Sequence, residues 1–265
     1  MPLSDAQKES GEMKLNKRVA ATNTDTTPPS SSWVVVFAGT YVFVALAVDT
    51  LAVFDVSWPF DWAVFQWRPE SLWRMLGAAP PDWARFSPVN RIDLFKFLFW
   101  FVIPFALCVR WMDWRWFSPR GWKRNDWLLL GGMVLLGSLA VASVRFIPAL
   151  RNVYPSMGHL PADIRRTYCI GYLLWTASWL PGWEFMHRYF LLRVVMRRFP
   201  RYGWLLIPLS ETLYHLQKPL LEAGGMAVFS LLLTFWAVKR RNLLLPFVAH
   251  LYIEILLLIV LVYLL

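Results

Sequence analysis

The feature that most constrains this chain is a series of apolar runs, most of them long enough to cross a lipid bilayer. A helix needs about 20 residues to span the hydrocarbon layer. The apolar runs cover about 33–54, 92–110, 126–148, 168–197, 203–217, 223–238 and 243–265. The fourth is long and contains Pro181-Gly182, so it could form one kinked helix or two shorter ones. Because backbone polar groups in lipid are satisfied by helices or closed barrels, we predict an all-α, polytopic bundle of seven or eight transmembrane helices.

The charged residues support a membrane location. Only 17% of the residues are charged, whereas soluble domains have about 25%. The net charge of +10 does not require a nucleic-acid partner, because Lys and Arg accumulate in the cytoplasmic loops of membrane proteins. With the N-terminus placed in the cytoplasm, 16 of the 27 basic residues fall in inside segments and eight in outside segments. We therefore expect a multi-pass protein with a cytoplasmic N-terminus, in contact with lipid and not with nucleic acid.

The chain divides into a polar tail and a membrane domain. Residues 1–32 are rich in Ser, Thr, Lys and Glu, which is typical of disordered segments, so we predict a disordered cytoplasmic tail. Residues 33–265 form the predicted integral membrane domain. Its loop at about 55–91 contains many Trp and Pro residues and is expected to lie along the membrane interface. The sequence has no Gly-rich phosphate loop, CxxC or HExxH motif, so we expect no cofactor and no bound metal.

Ionisable residues at membrane depth cluster in the last 82 residues. Each costs about 2.5–3.5 kcal/mol to insert, and such residues mark functional sites when they have partners. Residues four apart lie on one face of a helix. Three such pairs are present: Glu184 with Arg188, Glu211 with His215, and His250 with Glu254. We expect the three pairs to converge on one cavity.

Several interpretations of these residues remain open. Glu184 and Arg188 could form a purely structural ion pair, and His187, on another face, is expected to be a helix-packing residue. A Glu and two His could activate a water for hydrolysis. They could also hold a metal, since Glu184-x-x-His187 has the spacing of di-iron carboxylate proteins. That architecture uses two such motifs, and the sequence contains one.

Three fragments resemble one known family. "EFMHR" (184–188), "ETLYHLQKP" (211–219) and "PFVAHLYIE" (246–254) occur in the order and approximate spacing of the CPBP family, the CAAX prenyl endopeptidase and bacteriocin-processing proteins. The family pattern is Glu-Glu-x-x-x-Arg, then Phe-x-x-x-His, then His-x-x-x-Asn or Asp. The resemblance covers about residues 165–260, which it marks as a catalytic region.

The resemblance implies roles for individual residues. Glu184 and Arg188 match the second Glu and the Arg of the first motif, and His215 matches the His of the second. His250 matches the His of the third motif, and Glu254 takes the place of Asn or Asp. In this family Glu and His activate water without a metal, and the third-motif residues stabilise the oxyanion. The implied protein is a glutamic-type intramembrane protease, and a bacterial cytoplasmic membrane is the expected location.

The chain departs from the family pattern in three places. Trp183 replaces the first Glu, Glu211 replaces the Phe of the second motif, and Glu254 replaces Asn or Asp. Either Glu184 serves as the base, or Glu211 supplies the missing carboxylate, or peptidase activity has been lost. "WEFMHR" and "HLQKPLLE" are similar to a bacterial branch that has Trp in this position. That likeness brings Lys218 and Glu222 closer to the predicted site.

The function expected from the sequence is intramembrane hydrolysis of membrane-associated peptides or protein tails by a water activated by Glu and His. The expected substrates are prenylated tails, bacteriocin leaders or C-terminal sorting tags, and nothing in the sequence selects among them. The first alternative is a catalytically inactive CPBP-like membrane scaffold or immunity protein. The second is a metal-dependent membrane enzyme.

Overall fold

The computed structural model describes residues 28–54, 65–68, 70–81, 92–154 and 156–265. Almost all of the predicted tail at 1–32 lies outside these residues, as does much of the predicted interfacial loop at 55–91. The described part of that loop contains a short helix and one strand of a two-residue antiparallel pairing.

The described residues are mostly helical, with one two-residue strand pair, which confirms the predicted all-α class. The helices are α1 (Ser32–Val53), α2 (Glu70–Met75), α3 (Leu94–Trp111), α4 (Arg124–Ser143), α5 (Pro148–Val153), α6 (162–198), α7 (Leu206–His215), α8 (Leu220–Arg240) and α9 (Leu244–Leu264). The strands β1 (Gln66–Trp67) and β2 (Ile92–Asp93) pair with each other. Among the described residues, α1, α3, α4, α8 and α9 are long and apolar enough to cross a membrane. The predicted count of seven or eight spans is not confirmed.

The apolar helices bury little of their surface inside the protein. Only 22% of the most apolar window of α4 is buried, and the value for α8 and α9 is 33%. Leu128, Leu135 and Leu139 on α4 are all more than half exposed. Large contiguous apolar surfaces are rare on soluble monomers. These exposed apolar faces are therefore suited to contact with lipid.

Helix α6 is the central element of the fold. Every residue from Gly182 to Leu192 is buried, as expected for a helix that is surrounded by others on all sides. Of the two alternatives for the run at 168–197, that of two shorter helices separated at Pro181-Gly182 is wrong, because the α-helix continues through Pro181 as far as Phe185. The irregularity comes later, in a π-helical segment at Met186–Leu191 that carries His187 and Arg188. Such π-helical turns are frequent at functional sites.

Gly182 allows α6 to approach α3 closely. A Cβ atom at Gly182 would lie 3.0 Å from the Trp100 Cβ and 3.1 Å from the Phe101 backbone nitrogen. These neighbours are backbone and near-backbone atoms that cannot rotate away. The absence of a side chain at Gly182 therefore sets the separation of these two helices.

Replacing Gly182 with alanine should destabilise the protein by about 1–3 kcal/mol, because the new methyl group overpacks a backbone contact. Gly132→Ala on α4 is the matched control, since nothing lies within 4 Å of the point that its new methyl group would occupy and alanine favours helix over glycine. Thermal unfolding in detergent compares the two variants. Equal unfolding temperatures would contradict the close contact between α3 and α6.

Helix α7 is short and packs mainly against α8. A 3-10 turn at Gly203–Leu205 leads into its ten residues, and a tight turn through Pro219 connects it to α8. Its outer face is apolar, with Leu209, Leu213 and Leu216 exposed. Its inner face brings Glu211 against α6, as described next.

Candidate active site

The centre of the bundle contains a sealed set of charged side chains. Arg188 donates from Nη1 to Glu184 Oε2 at 2.8 Å and from Nη2 to Glu211 Oε2 at 2.7 Å. Nη2 also donates to Ser230 Oγ at 3.2 Å. All four residues are 0% exposed. We call Glu184, Arg188, Glu211 and Ser230 the inner cluster.

His250 connects the inner cluster to a second polar group. Its Nδ1 lies 2.8 Å from Glu184 Oε1, so it donates its proton to that carboxylate oxygen. Both oxygens of Glu184 are thus engaged, one by Arg188 and one by His250. The opposite nitrogen of the ring, Nε2, lies 3.9 Å from Glu254 Oε1. The imidazole is therefore fixed in orientation with Nε2 directed away from the inner cluster.

Two further carboxylates, those of Glu254 and Glu222, each accept a hydrogen bond from a tyrosine. Glu254 Oε2 accepts a hydrogen bond of 2.7 Å from the Tyr172 hydroxyl. Glu222 Oε1 accepts one of 2.7 Å from the Tyr154 hydroxyl, and His215 is the last residue of α7, the helix that precedes α8. We call this set the outer cluster; it comprises Tyr154, Tyr172, His215, Glu222 and Glu254. In this cluster Glu222, Glu254 and His215 are partly buried, whereas the residues of the inner cluster are fully buried.

The Glu222 carboxylate of the outer cluster has one oxygen without a partner. Its Oε2 is buried and has no hydrogen-bond partner among the described residues. Burial, and then the Glu222 charge, raise the pKa of the Tyr154 hydroxyl well above its usual value. Tyr154 thus remains a neutral donor to the other oxygen, Oε1. A buried carboxylate oxygen without a partner is costly, and a water or a substrate N–H at this point would satisfy it.

Trp183 forms the wall next to His215. It is buried, and its ring centroid lies 5.7 Å from that of His215 and 4.3 Å from that of His187. The resemblance places the first Glu of its motif at this position. Trp183 therefore offers His215 an aromatic ring and not a carboxylate. The His215 Nδ1 bonds to the Glu211 backbone carbonyl at 2.8 Å.

The six residues of the three predicted pairs lie on neighbouring helices. Only one of the three pairs forms its predicted close contact; in the other two, a side chain contacts a residue of another helix more closely. The Glu184–Arg188 ion pair forms as expected. The Glu211 carboxylate turns to Arg188 on another helix instead of to His215. His250 makes its short contact with Glu184, and Glu254 is the more distant neighbour.

Some residues of the two clusters were not indicated by the sequence pattern. Ser230, Tyr154 and Tyr172 carry no motif, and tyrosine is common near membrane interfaces in any case. His187, predicted as a packing residue, bonds to the Trp183 carbonyl at 3.0 Å and lies 3.8 Å from Glu211 Oε1. It therefore borders the inner cluster.

Within the described residues, no group of three or more His, Cys, Asp or Glu side chains is arranged to hold a metal ion. No protein-family model matches the chain, and no curated protein or solved structure matches it significantly. The chemistry of the two clusters is consequently the basis for a function. They combine an oriented imidazole, a second histidine and an unpaired carboxylate oxygen inside a set of apolar helices.

Proposed function

We propose that this chain is an intramembrane endopeptidase that uses an activated water to cleave membrane-associated peptides or protein tails. The observation that carries the proposal is His250, held by the buried Glu184 through Nδ1 and facing the outer cluster through Nε2. An imidazole oriented by a carboxylate is a recurring component of hydrolytic sites. The order of the three motifs, which resembles the CPBP family, also supports the proposal.

The contacts favour Glu222 as the general base. Glu184, which the sequence favoured, is fully buried and has both oxygens engaged. Glu222 has a free oxygen and belongs to the first turn of α8, just after the turn that follows His215 at the end of α7. In the proposed step Glu222 takes a proton from water while the water oxygen bonds to the carbonyl carbon of the scissile peptide. His215 orients this water.

His250 and Glu254 stabilise the tetrahedral intermediate that water addition forms. Because the His250 ring lies between the carboxylates of Glu184 and Glu254, we assign it as a donor from both ring nitrogens. Nε2–H then stabilises the oxyanion that forms on the carbonyl oxygen. Glu222 returns its proton to the leaving nitrogen as the C–N bond breaks. The inner cluster takes no part in proton transfer and fixes the position of His250.

The proposed setting is a bacterial cytoplasmic membrane with the N-terminus in the cytoplasm, as the distribution of Lys and Arg favours. The outer cluster then lies toward the outer side, because it includes Glu222 at the start of α8 while Lys239 and Arg240 end that helix. Substrates whose cleavage sites lie close to the membrane fit this depth. Prenylated tails, bacteriocin leaders and sorting tags share that property.

One observation favours the alternative of a catalytically inactive scaffold. Trp183 fills the position of the first Glu and packs against His215, so a chain that had lost catalysis would also have this arrangement. In that case the inner cluster would act only as a structural ion network. The experiment below separates the two functions.

Glu222→Gln should lower kcat by about 100-fold or more, because the amide cannot accept the proton from water. The full-length protein in lipid nanodiscs is assayed with a library of membrane-anchored peptides, and incorporation of ¹⁸O from labelled water into the new carboxyl terminus identifies hydrolysis. Glu70→Gln on α2 is the control, since Glu70 forms a separate ion pair with Arg74.

Two results would contradict the peptidase. If the biological phenotype persists in Glu184→Gln, Glu211→Gln and Glu222→Gln, and the wild type cleaves no peptide in the library, the chain is a scaffold. If the purified protein contains stoichiometric zinc or iron that is lost on replacing His215, it is a metal enzyme.

A further inference from the structure

A cavity lined by basic residues lies at the opposite end of α8 from the outer cluster. Its volume is about 340 Å³, and Arg115, Arg120, Lys239, Arg240 and Arg241 contribute to its lining. Glu222 and Lys239 are 17 residues apart on one helix, which corresponds to about 26 Å at 1.5 Å per residue. This cavity is therefore separate from the proposed active site, and we call it the basic cavity.

Two of the five cations are neutralised within the protein. Arg115 pairs with Asp113, with Nε at 2.9 Å from Oδ1, and Arg240 forms a two-point contact with Asp126. Across the described residues, Arg120, Lys239 and Arg241 have no acidic partner. Three like charges around one concavity repel one another, and an anion in the cavity would relieve that repulsion.

The wall of the basic cavity is held by a network of hydrogen bonds. Asn242 is buried, donates to the Ser118 carbonyl at 2.7 Å and accepts from the Leu244 amide at 2.9 Å. The Leu243 amide donates to the Trp116 carbonyl at 2.7 Å. Arg241 ends α8 in the left-handed conformation, with φ of 50°. These contacts fix the backbone that presents Lys239 and Arg241.

The location of the cavity indicates the depth of its ligand. It lies where α8 ends and α4 begins, at the ends of two helices that are long and apolar enough to cross a membrane. Trp114 and Trp127 lie close in sequence to the residues that line the cavity. They are 68% and 57% exposed, and exposed tryptophans favour the headgroup region. Basic pockets at the ends of transmembrane helices bind anionic lipid headgroups.

We propose that the basic cavity is a binding site for a phosphate-bearing anion. Its volume is at the lower end of the range for small-molecule sites and fits a phosphate group with a short polar substituent. Arg120 and Arg241 supply forked guanidinium donors that suit phosphate oxygens, and Lys239 adds a point charge. The phosphate could belong to an anionic phospholipid or to a soluble compound, and the test distinguishes these sources.

The test compares two triple variants of the full-length protein. Arg120→Gln/Lys239→Gln/Arg241→Gln removes the three unpaired cations. Arg197→Gln/Arg198→Gln/Arg201→Gln removes the same charge from a separate basic segment. Native mass spectrometry of the detergent-solubilised protein measures binding of phosphatidylglycerol against phosphatidylcholine, and calorimetry measures binding of inorganic phosphate.

We expect wild type to prefer phosphatidylglycerol at least tenfold. Each lost cation should weaken binding about fivefold, so the cavity variant should lose about 100-fold and the control less than twofold. Binding of inorganic phosphate alone, with the same sensitivity to the variants, would support the site and identify a soluble ligand. Equal losses in the two triple variants, or no binding of either probe by wild type, would overturn the proposal.

A milder variant guards against misfolding. Arg241→Gly removes one cation while keeping a residue that readily adopts positive φ, so the turn after α8 should be preserved. It is expected to bind phosphatidylglycerol about fivefold more weakly and to unfold at the wild-type temperature. Unchanged binding in this variant would exclude Arg241 from the site and contradict the proposal.

Discussion

Replacing Arg188 with methionine should destabilise the protein by about 3–5 kcal/mol, because it leaves two buried carboxylates without their counter-charge. Glu184 and Glu211 are both 0% exposed and both bond to the Arg188 guanidinium. A loss of this size is comparable to the whole stability of many domains, about 5–15 kcal/mol. Thermal unfolding in detergent and the yield of monodisperse protein measure the effect.

A matched rescue variant distinguishes the ion network from simple loss of packing. Arg188→Met combined with Glu184→Gln and Glu211→Gln removes all three charges, and replacing a complete buried ion set is often nearly neutral. The triple variant should therefore be more stable than Arg188→Met alone. If it is equally unstable, the shape of Arg188 rather than its charge supports α6.

Replacing His250 with alanine should lower kcat by about 100- to 10,000-fold, the range for loss of a group that acts on the reacting atoms. The predicted cause is loss of the Nε2–H donor that faces the outer cluster. Hydrolysis of a membrane-anchored peptide in nanodiscs measures the effect. Unfolding temperature is measured alongside, because the variant also removes one contact of Glu184.

Two other histidines are controls for His250. His159→Gln changes an exposed residue and should leave kcat unchanged. His187→Gln changes a buried residue that borders the inner cluster and should affect stability more than kcat. If His187→Gln reduces kcat as strongly as His250→Ala without loss of stability, the assignment of the donor to His250 is wrong.

The all-α class and the five long apolar helices of the described residues were predictable from the sequence because hydrophobic length indicates a helix that can span a membrane. The Glu184–Arg188 pair was predictable too, since residues four apart on a helix adjoin each other. Whether the helix continues across Pro181 was left open by the sequence. Proline removes one backbone donor, but a full break at membrane depth would leave more backbone groups without partners. The helix continues, and the departure from α geometry is taken up by the π-helical segment that follows.

The partners of the site residues depend on packing that no local pattern contains. Glu211 and His215 have the spacing of a pair, yet His215 Nδ1 bonds to the backbone of its own helix and frees the Glu211 carboxylate for α6. Tyr154 and Tyr172 reach the carboxylates from segments 68 and 82 residues away in sequence. Contacts at such separations follow only from the way the helices assemble.

The short helix α7 has a consequence for the surrounding lipid. Its ten residues and the preceding 3-10 turn rise about 21 Å, whereas the hydrocarbon layer is about 30 Å thick. In the membrane setting we propose, lipid against the exposed Leu209, Leu213 and Leu216 would meet an apolar face shorter than the hydrocarbon layer. A bilayer that adapts to such a face becomes thinner beside it. For the proposed peptidase, this would shorten the path of water and of a peptide to the helix that carries His215.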